Sequence, residues 1–162
     1  WITDGPFQDH PMISIYHPMN SSYGQPFANA GFAGWIGSLS GMSSAQMAIS
    51  EIGVYFSDET FGSESRFGVP FTYLLRDILQ FDYTLDDTID RITRAKRTCN
   101  LILGVGDGKL QQFRAFQYSS SVANVVDDYN LIPKNDTWHP KIKNVVYYGM
   151  DWLCCQRSVD RN

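Results

Sequence analysis

Gly31-Phe32-Ala33-Gly34-Trp35-Ile36-Gly37-Ser38-Leu39-Ser40-Gly41-Met42-Ser43-Ser44-Ala45-Gln46-Met47-Ala48-Ile49-Ser50-Glu51-Ile52-Gly53-Val54 is the stretch around which the chain is organised. From Trp35 to Ser40 apolar and small polar side chains alternate, the period of a strand with one buried face. Gly41 to Ser44 has turn chemistry, and Gln46 to Ile52 returns as a second strand. Five glycines leave the backbone bare, which suits bulges or close packing against a neighbouring element.

Outward from this pair, Met12 to His17 alternates as a strand, and residues 1–11 form an extended arm rich in Pro, Asp, His and Gln. Pro18 to Pro26 is a loop. Tyr55 to Phe67 has no period and reads as a loop folded over a neighbour. Pro70 opens a helix at the first helical position, with Phe71, Leu74, Leu75, Ile78 and Leu79 on one face. Asp82-Tyr83 ends it. Thr84 caps a second helix, with Asp86 and Asp87 in its first turn and Arg91, Arg94, Lys96 and Arg97 at its end, as the helix dipole favours. Cys99 to Gly106 is apolar or small throughout, the pattern of a strand covered on both faces. Asp107-Gly108 marks a hairpin to Leu110–Tyr118. Val122 to Val126 and Ile142 to Tyr148 read as further strands, and residues 150–162 as a tail. Strands, two helices, then strands give an α+β chain with helices on one sheet.

The bulk numbers exclude several classes. A chain of 162 residues, 43% hydrophobic and 14% aromatic, can bury a core as one domain. A net charge of −4 gives no basic surface for phosphates, so nucleic acid is not expected as a partner. No apolar run reaches the roughly 18 to 20 residues that span a bilayer. Three cysteines, Cys99, Cys154 and Cys155, match no metal spacing, and neither a metal nor another cofactor is expected. His10, His17 and His139 adjoin loops with no nucleophile in a recognisable setting beside them. Asn20-Ser21-Ser22 and Asn135-Asp136-Thr137 fit the N-glycosylation pattern and point to a secretory or lysosomal lumen.

The chain also resembles the acyl-coenzyme A:isopenicillin N acyltransferase-like family of N-terminal-nucleophile hydrolases. The resemblance lies in Gly41-Met42-Ser43-Ser44-Ala45-Gln46-Met47, where the family has Gly-Met-Asn-x-x-Gly-Leu, so that Ser43 and Gln46 replace its Asn and Gly. It continues through Gly68-Val69-Pro70-Phe71, Leu74-Leu75-Arg76-Asp77, Arg97-Thr98-Cys99-Asn100 and Val105-Gly106-Asp107-Gly108, and reaches to Asn144–Gly149. It implies a four-layer αββα sandwich of which this chain is a part. It also implies amide-bond hydrolysis or acyl transfer on an N-acylated amine or peptide-like substrate. The family's nucleophile is a cysteine freed by self-cleavage, whose own α-amino group, with a pKa of about 8, serves as base. Trp1 is not a cysteine. The expectation is therefore a processed chain whose nucleophile sits on a companion chain of the same precursor. Oxyanion or pocket candidates in this chain are Ser50 and Glu51 on the second strand, Asn100 and Arg97 at the entry to a central strand, and Ser38 and Ser40 on the first. For each, strand-face hydrogen bonding or surface charge is the competing use. Phe32, Trp35, Tyr55, Phe56 and Phe61 are candidates for an apolar acyl pocket, or for core packing. The alternative function is a non-catalytic secreted glycoprotein of the same fold in a binding or structural role. An unrelated ligand-binding domain is a third reading.

Overall fold

The computed structural model describes residues 9–56 and 59–127. The strand expected at Ile142–Tyr148, the tail from 150, Asn135, Cys154, Cys155 and most of the N-terminal arm lie outside the described residues. Among the described residues seven strands form one antiparallel sheet whose spatial order equals chain order. They are β1 (Pro11–Tyr16), β2 (Phe27–Phe32), β3 (Ser40–Ser43), β4 (Met47–Gly53), β5 (Leu101–Asp107), β6 (Gln112–Tyr118) and β7 (Ala123–Val126). Two helices, α1 (Phe71–Phe81) and α2 (Leu85–Arg94), lie between β4 and β5 in the chain.

The opening stretch folds differently from its alternation. Trp35 to Leu39 is a connection, and the strand begins at Ser40. Gly37 has a φ of 92°, outside the strand region, and breaks the apparent period, and Gly34 just before the run takes φ 82°. Gly41 to Ser43, expected as a turn, is strand, with Gly41 and Met42 paired on both sides, Gly41 opposite Asn29 and Ile49. The turn falls at Ser44 to Gln46, where Gln46 takes φ 60°. β2 was hidden in the sequence, because Phe-Ala-Asn-Ala-Gly-Phe puts a polar residue on the buried face. That residue, Asn29, is satisfied there: its Oδ1 accepts from Ser38 Oγ at 2.7 Å and its Nδ2 donates to Gly37 O at 3.2 Å.

The helices follow their apolar faces. Leu75, Ile78, Leu79 and Ile92 are fully buried against Met47, Leu103, Val105, Phe116 and Tyr118 of the sheet. Pro70 is the N-cap of α1 instead of its first residue, with ψ 136°. Thr84 caps α2 as expected, accepting from Asp87 N while the Asp87 carboxylate accepts from Thr84 N. Such a reciprocal cap contributes about 1 kcal/mol. Between the helices Asp82, 2% exposed, accepts from Arg91 Nε at 2.8 Å and from Thr88 Oγ at 3.2 Å. No helix among the described residues is long and apolar enough to cross a membrane.

Because side chains alternate along a strand, the sheet has two unlike faces. Leu101, Leu103 and Val105 of β5 are buried on the helix side. On the other face Gly104 is covered by Phe113, whereas Ile102 and Gly106 are only half-buried. The double cover expected for β5 is thus met on one face among the described residues.

Candidate functional site

The bare face of the sheet is the first feature of the site. Ile13 (73% exposed), Ile15 (65%), Met42 (64%), Ile52 (47%) and Phe113 (53%) all stand on it. Between them the register sets small residues side by side. Ser50 pairs with Gly104, which pairs with Ala115, and Ala48 pairs with Gly106. Ser40 and Ser50 lie one residue beyond the Gly41–Ile49 pair on adjacent strands, so two hydroxyls occupy the middle of this trough. A Cβ on Gly104 would come within 2.9 Å of the Phe113 ring and 3.0 Å of Ser50 Oγ. Gly104 therefore lets the ring lie over the β5 backbone beside Ser50.

The second feature is a cleft of about 610 Å³ at the end of the sheet where β4 leaves and β5 enters. Val54, Tyr55, Phe56, Glu59, Glu64 and Asn100 line it. Val54 N donates to Asn100 O at 3.2 Å and closes the strand ends. Asn100 Oδ1 is buried and meets no donor among the described residues. Glu51 lies on the helix-side face near this end, and its burial raises its carboxyl above the usual range. Burial likewise pushes the Cys99 thiol up to about 11, with Glu64 and Glu51 adding to the shift against a lowering hydrogen bond from Thr98. At neutral pH Cys99 is a thiol and a poor nucleophile.

The remaining candidates are committed elsewhere. Ser38 is fully buried; its Oγ bonds Asn29 and its N–H donates to Thr72 O at 2.8 Å, which fastens the β2–β3 connection to α1. Arg97 Nε donates to Ser119 O at 2.7 Å, and its Nη1 donates to Ile92 O and Thr93 O, each at 3.0 Å. Its guanidinium also lies 5.9 Å from the Tyr118 ring centre. These bonds close the last carbonyls of α2 and tie them to the strand end. Phe61 is buried and stacks on Phe56 at 4.0 Å, a packing contact at the wall of the cleft. Ser40 and Ser50 thus share the bare face, Glu51 and Asn100 belong to the β4–β5 end, and Ser38 and Arg97 hold the framework.

Sequence reasoning missed Asp107. Its side chain is fully buried at the opposite end of the sheet, where Oδ1 accepts from Lys109 N at 2.9 Å and lies 3.0 Å from Lys109 Nζ. Lys109 Nζ also donates to Ala45 O, and Gly108 N donates to Gln46 O at 2.8 Å. Burial pushes the carboxyl up, but the bonds from Lys109 and the Leu110 N–H outweigh it and hold it below the ordinary value. The signal was an Asp-Gly pair, which reads first as a turn.

Among solved structures the chain is similar to a Caenorhabditis elegans ortholog of N-acylethanolamine-hydrolyzing acid amidase. The TM-score is 0.58, with 14% sequence identity, over 78% of this chain and 55% of that one. This is the N-terminal-nucleophile hydrolase fold. The described residues contribute one sheet and one helix layer to its αββα sandwich. Two Dictyostelium discoideum proteins are also similar. Protein dcd1A is 38% identical over 149 residues, which is 88% of this chain and 33% of that protein. Protein dcd1B is 30% identical over 150 residues, 91% of this chain and 29% of that protein. The chain spans about a third of the length of these curated relatives. No family model matches it.

Proposed function

We propose that this chain is one part of an amide-bond hydrolase or acyltransferase that acts on an N-acylated amine or peptide-like substrate in an endomembrane lumen. The nucleophilic cysteine comes from a companion chain of the same precursor, as in the acyltransferase family that the sequence resembles. The observation that carries this reading is the bare apolar sheet face with Ser40 and Ser50 at its centre. A four-layer sandwich buries such a face against its second sheet, and acyl-transfer chemistry needs donors directed from the walls of a water-poor site toward a developing oxyanion. The likeness in fold to an N-acylethanolamine-hydrolyzing acid amidase supports the reaction class.

In this reading Ser50 donates its hydroxyl toward the acyl oxygen. Asn100, whose carboxamide can present either end, is the alternative donor, at the strand-end cleft. The attacking thiolate forms a thioester with the acyl carbon and the amine leaves with a proton. Water or an acceptor amine then releases the acyl group.

The test is N-terminal sequencing and mass analysis of every polypeptide that copurifies with this chain, followed by assay on N-acyl amines before and after thiol alkylation. A companion that begins with Cys, and activity lost when that Cys is alkylated, is the expected result. A companion with an inert first residue and no turnover would refute catalysis and leave a binding or structural glycoprotein. The Ser43 that stands where the family has Asn favours that second reading, since it is buried with its Oγ unpartnered and is turned away from the bare face.

A further inference from the structure

We propose that Asn20 carries an N-linked glycan on the outer, helix-side end of the half-sandwich, where it leaves both the bare sheet face and the β4–β5 cleft free. The described residues include four asparagines: Asn20, Asn29, Asn100 and Asn124. Only Asn20 has Ser or Thr two positions on, in Asn20-Ser21-Ser22.

Its surroundings suit the modification. Asn20 is exposed, beside Met19 at 94% exposure, in the β1–β2 connection. Asn20 Oδ1 accepts from Ser22 N at 3.0 Å and from Ser22 Oγ. The side chain is thus held by its oxygen, and Nδ2, the atom that would bear the sugar, makes no hydrogen bond among the described residues. An open groove of about 650 Å³ lies alongside, lined by Pro18, Asn20, Pro26, Tyr83 and Lys109 among others, which leaves space for a first sugar.

The position in the fold adds the consequence. Tyr23 O accepts from Gln80 Nε2 at the end of α1, which fixes this connection to the helix layer. Lys109 and Ser44 at the groove belong to the Asp107 end of the sheet. The strand-end cleft is at the far end of β4, about 20 Å away for a seven-residue strand. A glycan here faces outward from the helix layer.

The transfer balances with a lipid-pyrophosphate-linked oligosaccharide as donor. Asn20 Nδ2 forms a bond to the anomeric carbon of the first N-acetylglucosamine. The anomeric C–O bond to the pyrophosphate breaks, the lipid pyrophosphate leaves with the electron pair, and the amide gives up one proton. This inference does not depend on the proposed catalysis, because the sugar would be present on an active or an inactive protein.

The experiment uses the full-length protein secreted from a eukaryotic host. Peptide N-glycosidase digestion in heavy-oxygen water, followed by mass spectrometry, should return the residue-20 peptide as labelled aspartate. Ser22→Ala should abolish that label and remove one glycosidase-sensitive mass step, whereas Ser22→Thr should retain both. Recovery of the peptide with unmodified Asn20 overturns the proposal, whatever is found at Asn135 or in the activity assay.

Discussion

Met42 and Ile36 offer a matched pair for testing whether the bare sheet face is an internal surface of the complete protein. The two are exposed almost equally, 64% and 65%. Met42 stands on β3 in the trough, while Ile36 sits in the β2–β3 connection away from it. Burying a whole Met side chain contributes about 1.5 to 3 kcal/mol, so the exposed share of Met42 is worth about 1 to 2 kcal/mol once a second sheet covers it. Met42→Ala in the full-length protein should lower unfolding stability by that amount. Ile36→Ala, which stays in solvent, should remain within about 0.5 kcal/mol of the parent. Equilibrium urea unfolding of both variants, with the slope checked for constancy, gives the two numbers. Equal and small losses would refute the argument, because they would mean that Met42 is as wet in the whole protein as Ile36.

Four more expectations follow from the same geometry. Ser50→Ala should cut turnover by about a hundredfold if its hydroxyl donates to the oxyanion, with the midpoint of unfolding unchanged; steady-state kinetics on an N-acyl amine would reject the role by showing full activity. Arg91→Ala strands the buried Asp82 carboxylate and should cost about 2 to 3 kcal/mol, reduced from the fully buried case by the 29% exposure of Arg91, as read by thermal or urea unfolding. Cys99 should resist iodoacetamide at neutral pH in the native protein and react after unfolding, since burial pushes its thiol up to about 11. Asp107 has a folded-state pKa below its ordinary value of 3.8, so its contribution is complete above that pH and is lost as pH falls below it. Asp107→Asn should therefore flatten the acid limb of the stability profile, measured as unfolding midpoint against pH.

The helices were legible because their signals are local. A 3.6-residue apolar face and a Thr84–Asp87 cap each lie within a few positions of sequence, and α1 and α2 begin within a residue of where those signals put them. β4 and β6 were legible for the same reason. Trp35 to Leu39 was misread because what keeps it out of the sheet is distant. A Cβ on Gly37 would fall 2.6 Å from the Thr72 backbone, so α1 packs where a strand side chain would stand. The pairing of Asn29 with Ser38 is likewise a contact between segments, and no periodicity announces it. At the site, the register of β4 exposes Ser50 and turns Glu51 to the helices, an alternation that follows from the strand itself. The structural roles of Ser38 and Arg97 required knowing what lies across from them.

Next-neighbour strand order has a kinetic consequence. Among the described residues every strand pairing joins strands adjacent in the chain, but β4 and β5 are separated by residues 54–100, which include α1 and α2. The other hairpins close across short connections and bear little loop entropy. Two meanders, β1–β4 and β5–β7, can form early on either side of the helical insert. The slow event is then their zipping along the Ile49–Val105 line. A newly made chain would wait at that central seam, and truncating either strand there should retard refolding far more than trimming the sheet edges.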